Sequence, residues 1–423
     1  MNNVKVGVIG IGNVGSSVIR LLKKNGKLIA EKTGISIEIK KASDIRDKRN
    51  IAGRAYTRNA VEVINDPEIP IVIECIGGVD PAKKLILQAI KNGKHIVTSN
   101  KEVIAKHGRE IIEAANKAGV HVLFEGAVCG GIPILHSIRE CLAANRIFEI
   151  SGIVNGTTNY ILSRMTKQCL SFDGALSQAQ KKGFAEADPS MDVDGSDAAY
   201  KAAILAYVAS GSFVDVSRIY REGISKISQE DIEYAKEIGY VIKLLAIIKI
   251  GKAGLEVRVH PTLVPADHPL AKVSDNFNAV FVRTDAMGDA MFYGKGAGGF
   301  PTASSVLSDV IEISKKLGCC VEEPYYPKEN KMKMRDIGDI RSRYYIRLEA
   351  PDMPGVLSGI SGVFARKKVS IQEVVQRESK GRTAQIVIIL HENKEKDIQA
   401  ALKIISKLPV VKRIRSVIRV GID

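Results

Sequence analysis

The stretch VKVGVIGIGNVGSSVIRLL, residues 4–22, decides the fold of this chain. Val4, Val6, Val8 and Ile9 make an apolar strand, Gly10, Gly12 and Gly15 follow it in G-x-G-x-x-G spacing, and Val18, Ile19 and Leu22 then recur at helical intervals. Alone, that spacing is a weak signal. Placed between a strand and an amphipathic helix it predicts a dinucleotide site, because the glycines allow a tight turn and close backbone approach to a pyrophosphate that the helix N-terminus receives.

Outward from this unit, strand and helix patterns alternate through the first 130 residues. IEIKKAS (37–43), IPIVIECIG (69–77), KHIVTSN (94–100) and VHVLFEGAV (120–128) read as strands, and PAKKLILQAIKNG (81–93) and REIIEAANKAG (109–119) as helices. Repeated units of this kind predict an α/β fold, a parallel doubly wound sheet with ligand at the carboxyl ends of its strands. From about residue 130 the rhythm becomes α+β: helices in ILHSIRECLAAN, TNYILSRMTK and DAAYKAAILAYVA, strands in RIFEISGIVN, GLEVRVHPTLVP and NAVFVRTDAMGDAMFYG. The helix TASSVLSDVIEISKKLG (302–318) is expected to pack back on the nucleotide domain. YYPKENKMKMRDIGDIRS (325–342) is polar and patternless, as a linker would be. Beyond it YYIRLEA, a helix over 355–366, VSIQEVVQRE, AQIVIILHE, a helix over 395–408 and IRSVIRV give a βαββαβ order. The expected domains are 1–130 for the dinucleotide, completed by 302–320; an α+β domain at 131–301; a linker at 321–342; and a small βαββαβ module at 343–423.

A chain of 423 residues with 45% hydrophobic content can fill two or three ordinary cores. Apolar runs such as Leu244–Ile248 are far too short to span a bilayer, and no signal peptide precedes the first strand, so no membrane partner is expected. Six cysteines without a CxxC pair point to a reducing cytoplasm rather than a disulfide framework, and the adjacent Cys319 and Cys320 read as packing residues. The formal charge of +15 raises the question of nucleic acid, but the basic residues are mixed with acids and aromatics are only 5%, so no nucleic acid is expected and a surface suited to anionic small molecules is the milder reading.

The second informative stretch is EADPSMDVDGSDAAYK, residues 186–201, in which five carboxylates crowd ahead of and into a helical run ending at a lone lysine. A helix starting near Ser196 puts Asp197 and Lys201 on one face. Such a pair can hold an ammonium beside a carboxylate, and a lysine so placed can lend a proton to a carbonyl oxygen as it becomes an alkoxide. The plain alternative is a solvated loop capping a helix with an ordinary surface ion pair.

With GIGNVG, VTSNKEVIA, FEGAVCGGIPI, NGTTNYIL, FAEADPSMDVDGSDAAYK and YGKGAGGFPTASSVLSD in this order, the chain resembles the homoserine dehydrogenase family over roughly residues 4–318, and LEAPDMPGVLSGISGVFARKKVSI resembles an ACT domain. The resemblance implies a Rossmann-type domain, an α+β catalytic and dimerisation domain and an ACT-like regulatory domain. It implies the active-site lysine at Lys201, its carboxylate partner at Asp197, and a second lysine, Lys101, between cofactor and substrate. Glu186 is then expected to take the substrate's ammonium, with Gly156, Thr157 and Asp192 near the substrate. Gly10, Gly12, Asn13, Val14, Gly15, Gly183 and Gly298 fall beside the cofactor. In FEGAVCGGIPI the resemblance implies a monovalent cation, sodium by preference, held by Glu125 with Val128, Gly130 and Ile132; carboxylate and carbonyl oxygens suit so hard an ion.

Cofactor choice rests on ASDIRDKR. An acid there would bond the 2′-hydroxyl of NAD, an arginine the 2′-phosphate of NADP. Asp44 and Arg46 are both present, the family's arginine–acid step matches Arg46 and Asp47 better, and Lys48 and Arg49 add positive charge, so NADP is favoured with NAD still open. Cys129 invites a further reading as the nucleophile of an acylating semialdehyde dehydrogenase, against a packing role. A non-catalytic nucleotide and amino-acid sensor is the reading from another class. In APDMPGVL, Asp352, Pro354 and Gly355 mark a turn into a helix N-terminus where an amino-acid effector, threonine by family habit, is expected. The resemblance also implies a homodimer or homotetramer.

Overall fold

The structure is a computed structural model, and it describes residues 2–317, 329–376 and 383–422. Cys319, Cys320 and the start of the expected linker lie outside the described residues. Two compact units divide the chain: residues 1–148, 199–219 and 277–332 form one, and 149–198, 220–276 and 333–423 the other. Each gathers three separate stretches, so neither coincides with a single expected domain.

The first unit is built on a six-stranded parallel sheet in which the opening strand, Asn2–Ile9, lies between Ile35–Ser43 and Ile71–Glu74, followed outward by His95–Thr98 and Val122–Leu123; Tyr56–Thr57 pairs with Ser43 and Ala42 at the other edge. Reversal of strand order beside the first strand is the topological switch that leaves a crevice at the carboxyl ends. Val6, Val8, Ile71, Ile73, Ile96 and Val97 are fully buried, as near-continuous apolar runs in a parallel sheet require. Gly7 is needed because a Cβ there would lie 2.3 Å from Val63. The helices Asn13–Thr33 and Gly299–Lys316 run in the same unit, and a Cβ on Gly299 would meet Ser17 Oγ at 2.3 Å and Asn13 Oδ1 at 2.8 Å, so their N-termini lie side by side. The expected helix at 134–145 is short: Ile134–His136 is α-helical and Ser137–Cys141 widens into a π turn.

The second unit carries a mixed sheet that joins Tyr240–Gly251, Gly254–Pro265, Arg413–Val420, Arg341–Pro351, Thr383–Lys394 and Ile371–Gln376 in that order. The last four strands, with helices Val356–Arg366 and Glu395–Ile405, are the βαββαβ module, whose core packs Tyr344, Ile346, Leu348, Phe364, Ile388 and Ile398. Part of the expected linker is docked rather than loose: Lys333 O accepts the Leu255 N–H, and the Arg335 N–H returns to Leu255 O. Among the described residues no helix is long and apolar enough to cross a membrane.

Candidate active site

The glycine loop shows why each glycine is there. Gly10 has φ +94°, and a Cβ on Gly15 would lie 1.9 Å from Gly10 O, so both are fixed by the turn and by helix–strand packing. Around Gly12 a Cβ would meet nothing within 4 Å. That open ground lies against the first turn of the Asn13–Thr33 helix, where Asn13 and Val14 contribute N–H groups without intrahelical partners and no side chain caps them. Gly298, at φ +128°, begins the second helix beside it, so two positive helix ends converge on the loop. These residues fit a pyrophosphate.

The acid after the second strand is turned inward. Asp44 accepts the Ile11 N–H at 2.7 Å and the Arg46 N–H at 2.9 Å, so its carboxylate braces the glycine loop. Arg46 is exposed, while Asp47 holds Arg49 at 3.1 Å. Lys101 opens the helix Lys101–Ala118 directly after the strand His95–Thr98, with Asn100 as its cap; Asn100 also donates to Ile76 O and Gly78 O at 2.9 and 2.7 Å. Beneath this loop, Thr98 Oγ1 donates to Glu74 Oε2 at 2.5 Å, and burial pushes the Glu74 carboxyl up to about 7. Glu74, Thr98 and Asn100 thus set the shape of the strand ends, a role their motif did not disclose.

Glu125 is 3% exposed; its carboxylate accepts N–H groups from Leu135 at 2.9 Å and His136 at 2.6 Å, and its own N–H donates to Asp309 at 2.8 Å. Burial raises the Glu125 carboxyl, and burial together with Glu125 raises Asp309 well above the usual range. Cys129 and Gly130, at φ 54° and 38°, curl the following loop; Gly130 O accepts from Ser305 Oγ at 2.6 Å and Ile132 O from the Ile134 N–H at 2.8 Å. Among the described residues no group of three or more His, Cys, Asp and Glu could hold a metal, so a cation here would depend on carbonyls. The Glu125 carboxyl and the carbonyls of this loop are hard oxygen donors, the donor type that suits a monovalent cation. Cys129 is fully buried and receives a hydrogen bond from Asn278 Nδ2 at 3.6 Å. That is the setting of a packing thiol, and the acylating alternative finds no support.

In the second unit the helix Gly156–Gln168 starts at Asn155, whose side-chain oxygen accepts the Thr158 N–H at 2.8 Å. Its amide nitrogen spends both hydrogens on carboxylates, donating to Asp192 at 2.7 Å and Asp197 at 2.8 Å. The structure therefore brings together the acidic stretch and the NGTTN stretch. Gly156 and Thr157 occupy the first helical turn, and Thr157 Oγ1 donates to Phe184 O at 2.7 Å, so its hydroxyl positions the loop carrying Gly183 and Glu186. Gly183 takes φ +71°, and Glu186 is exposed. The helix Ser196–Ser210 passes from this unit into the first after Ala198, and along it Asp197 and Lys201 stand one turn apart, 3% and 8% exposed, which sets them apart from surface decoration. Asn155 was missed in the sequence; its place before Gly-Thr-Thr, as a helix cap, was the available signal.

A glycine-loop nucleotide unit, a buried lysine–carboxylate helix and a βαββαβ module together define a nicotinamide-linked oxidoreductase with a small α/β tail. Family models for "Homoserine dehydrogenase, NAD binding domain", "Homoserine dehydrogenase" and "ACT domain" match residues 10–125, 133–311 and 344–410. The homoserine dehydrogenase of Synechocystis sp. is 46% identical over 99% of each chain. A crystal structure of a homoserine dehydrogenase from Thiobacillus denitrificans superposes with a TM-score of 0.95 at 41% identity, covering 100% of this chain and 99% of that one. A hyperthermophilic archaeal homoserine dehydrogenase mutant in complex with NADPH matches 74% of this chain and 98% of its own with a TM-score of 0.64 at 27% identity. This chain belongs to the homoserine dehydrogenase family.

Proposed function

We propose that the chain interconverts L-homoserine and L-aspartate 4-semialdehyde, with NADP preferred over NAD, in the biosynthesis of threonine, methionine and isoleucine. The observation that carries this reading is the Asn155 clamp, which holds Asp192 and Asp197 together one helical turn ahead of the buried Lys201. When bound, the nicotinamide supplies the hydride to, or takes it from, the carbon that bears the oxygen. Lys201 gives its proton to that oxygen in reduction and takes it back in oxidation, and its ammonium stabilises charge that develops only in the transition state. Asp197 aims the lysine, and Asn155 fixes Asp197. Glu186 takes the substrate ammonium, and the N–H groups of Gly156 and Thr157 at a helix N-terminus suit its carboxylate. Lys101, at the carboxyl end of the parallel sheet, serves the cofactor side, and Gly183 belongs beside the cofactor.

The commitment of Asp44 to backbone amides supports NADP, because it leaves the exposed Arg46 as the group suited to a 2′-phosphate; the NADPH-bound archaeal relative agrees. Glu125, with the carbonyls of Val128, Gly130 and Ile132, would hold a monovalent cation such as sodium, stiffening the loop. The ACT-like tail is read as the seat of an amino-acid effector, threonine, at Asp352, Pro354 and Gly355, where Gly355 at φ 92° opens the helix Val356–Arg366. A cytoplasmic homodimer or homotetramer completes this reading.

Incubating the chain with homoserine and each oxidised cofactor tests the reaction: reduced nicotinamide appears with homoserine and is absent without it. Arg46→Ala raises KM for NADP by roughly ten- to a hundredfold, the worth of a charged hydrogen bond, and leaves KM for NAD nearly unchanged. Equal effects on both cofactors would remove Arg46 from the site.

A further inference from the structure

The strand Gly254–Pro265 is flanked along one edge by Tyr240–Gly251, but along the other by two different strands. Tyr220–Arg221 pairs with it at Arg258 and Val259, and Arg413–Val420, from the ACT-like module, at Thr262 and Leu263. Between these pairings stands Pro261, which has no N–H to offer a neighbour. The sheet edge opens there into a cleft of about 500 Å³, walled by residues 221–227 on one side and 414–418 on the other. That volume falls within the range of small-molecule sites.

The polar lining is mainly cationic. Arg221, Lys226 and Arg415 line the cleft with Ser225 and Ser416, against a single acid, Glu222. Glu222 is already committed, to Arg419 at 3.1 Å and to the Tyr220 hydroxyl. Arg415 is held by Glu349, whereas Arg221 and Lys226 are exposed and form no ion pair among the described residues. Two uncompensated cations facing a cleft flanked by serines offer what a carboxylate or phosphate needs.

One wall of the cleft is also locked to the acidic loop. The Ile224 N–H donates to Val193 O at 2.9 Å, and a Cβ on Gly223 would lie 2.1 Å from that same oxygen, so the two segments are in van der Waals register. Val193 follows Asp192, which Asn155 ties to Asp197. The other wall belongs to the ACT-like module, and Arg419 bridges the walls, bonding Glu222 on one and Glu395 at 2.8 Å on the other. We infer that this cleft binds a small carboxylate or phosphate anion at a site separate from the Asp352–Gly355 turn, and that occupancy is transmitted through Gly223 and Ile224 to the loop before Asp197. The regulatory half of this inference rests on the assignment of Asp192 and Asp197 to the substrate site; the binding half does not.

The test is calorimetric titration of the full chain with inorganic phosphate and, separately, malonate, with NADP present to fill the glycine loop. Amide exchange of segments 188–195 and 221–227 is followed in parallel. Wild type shows a saturable component for at least one anion, and the arm that saturates identifies the ligand class. Arg221→Glu with Lys226→Glu weakens it at least tenfold, Lys226→Ala weakens it less, and Lys84→Glu with Lys117→Glu, an equal charge change elsewhere, leaves it intact. Anion binding slows exchange in both segments. The same isotherm in wild type and the Arg221/Lys226 variant, or no saturable component for either anion, overturns the site. Binding that leaves segment 188–195 unchanged overturns the transmission. Neither readout uses turnover, so failure here is distinct from failure of the dehydrogenase reading.

Discussion

Both sheets bury apolar side chains, but they differ in how much charge they bury with them. In the first, Val6, Val8, Ile71, Ile73, Ile96 and Val97 form an apolar interior, and Glu74 is a lone acid at the strand ends. In the second, the single strand Gly254–Pro265 buries Glu256, Arg258, His260 and Thr262 at every second position, with Arg347 and Arg419 contributed by the module. Arg347 bonds Asp231 at 2.7 Å, and Arg419 forks onto Glu395 at 2.9 and 2.8 Å. Apolar burial stabilises without regard to partner. A buried charge tolerates only the arrangement that pairs it, so the second sheet specifies how the module joins the strand Gly254–Pro265.

The comparison breaks most visibly at Arg419. Arg419→Ala leaves Glu395 buried without its cation, with only the Tyr344 hydroxyl and the Gln399 amide as donors, and is expected to cost about 3–5 kcal/mol in denaturant unfolding of the second unit. Replacing Arg419 and Glu395 together by Met and Leu costs less than Arg419→Ala alone. Equal losses would mean the pair is incidental.

Glu74 supplies the next effect, with a sign that depends on pH. Its carboxyl is raised from about 4.5 to about 7, so between these values the folded state holds a proton that the unfolded state has released. Stability attributable to this group is therefore present below the unfolded value, falls as pH rises toward 7 and is flat above it. Glu74→Gln, which never ionises, should gain on wild type by up to roughly 3 kcal/mol between pH 5 and pH 8, read from unfolding midpoints. A pH-independent difference would show that Glu74 titrates normally. Ile73→Val, one residue earlier in the same strand, removes a single methylene from the apolar sheet and should cost about 0.5–1.5 kcal/mol at any pH.

The first sheet was legible in the sequence because its signals are local: an apolar run, three glycines at fixed spacing and an amphipathic helix all fall within residues 4–22. The βαββαβ order of the tail was legible for the same reason. What the sequence withheld was pairing at a distance. For Asp44 the sequence offered only a choice with Arg46 and no sign of its bond to the Ile11 N–H, across 33 positions. Asn155 went unread, since its carboxylate partners lie 37 and 42 positions on. Lys333–Arg335 looked like linker because a β-bridge to Leu255 leaves no periodic trace. The short helix at Ile134 reflects Glu125, whose carboxylate takes the N–H groups of Leu135 and His136.

The central claim is that Lys201, held beside Asp197 on the helix Ser196–Ser210, provides the proton of a hydride transfer. The direct measurement is the steady-state rate of Lys201→Ala with homoserine and NADP, alongside its cofactor affinity by fluorescence titration. The account predicts a fall in kcat of a hundredfold or more, the order expected for losing one transition-state charge stabiliser, with the cofactor Kd changed by less than about threefold. Turnover within a few fold of wild type would contradict it.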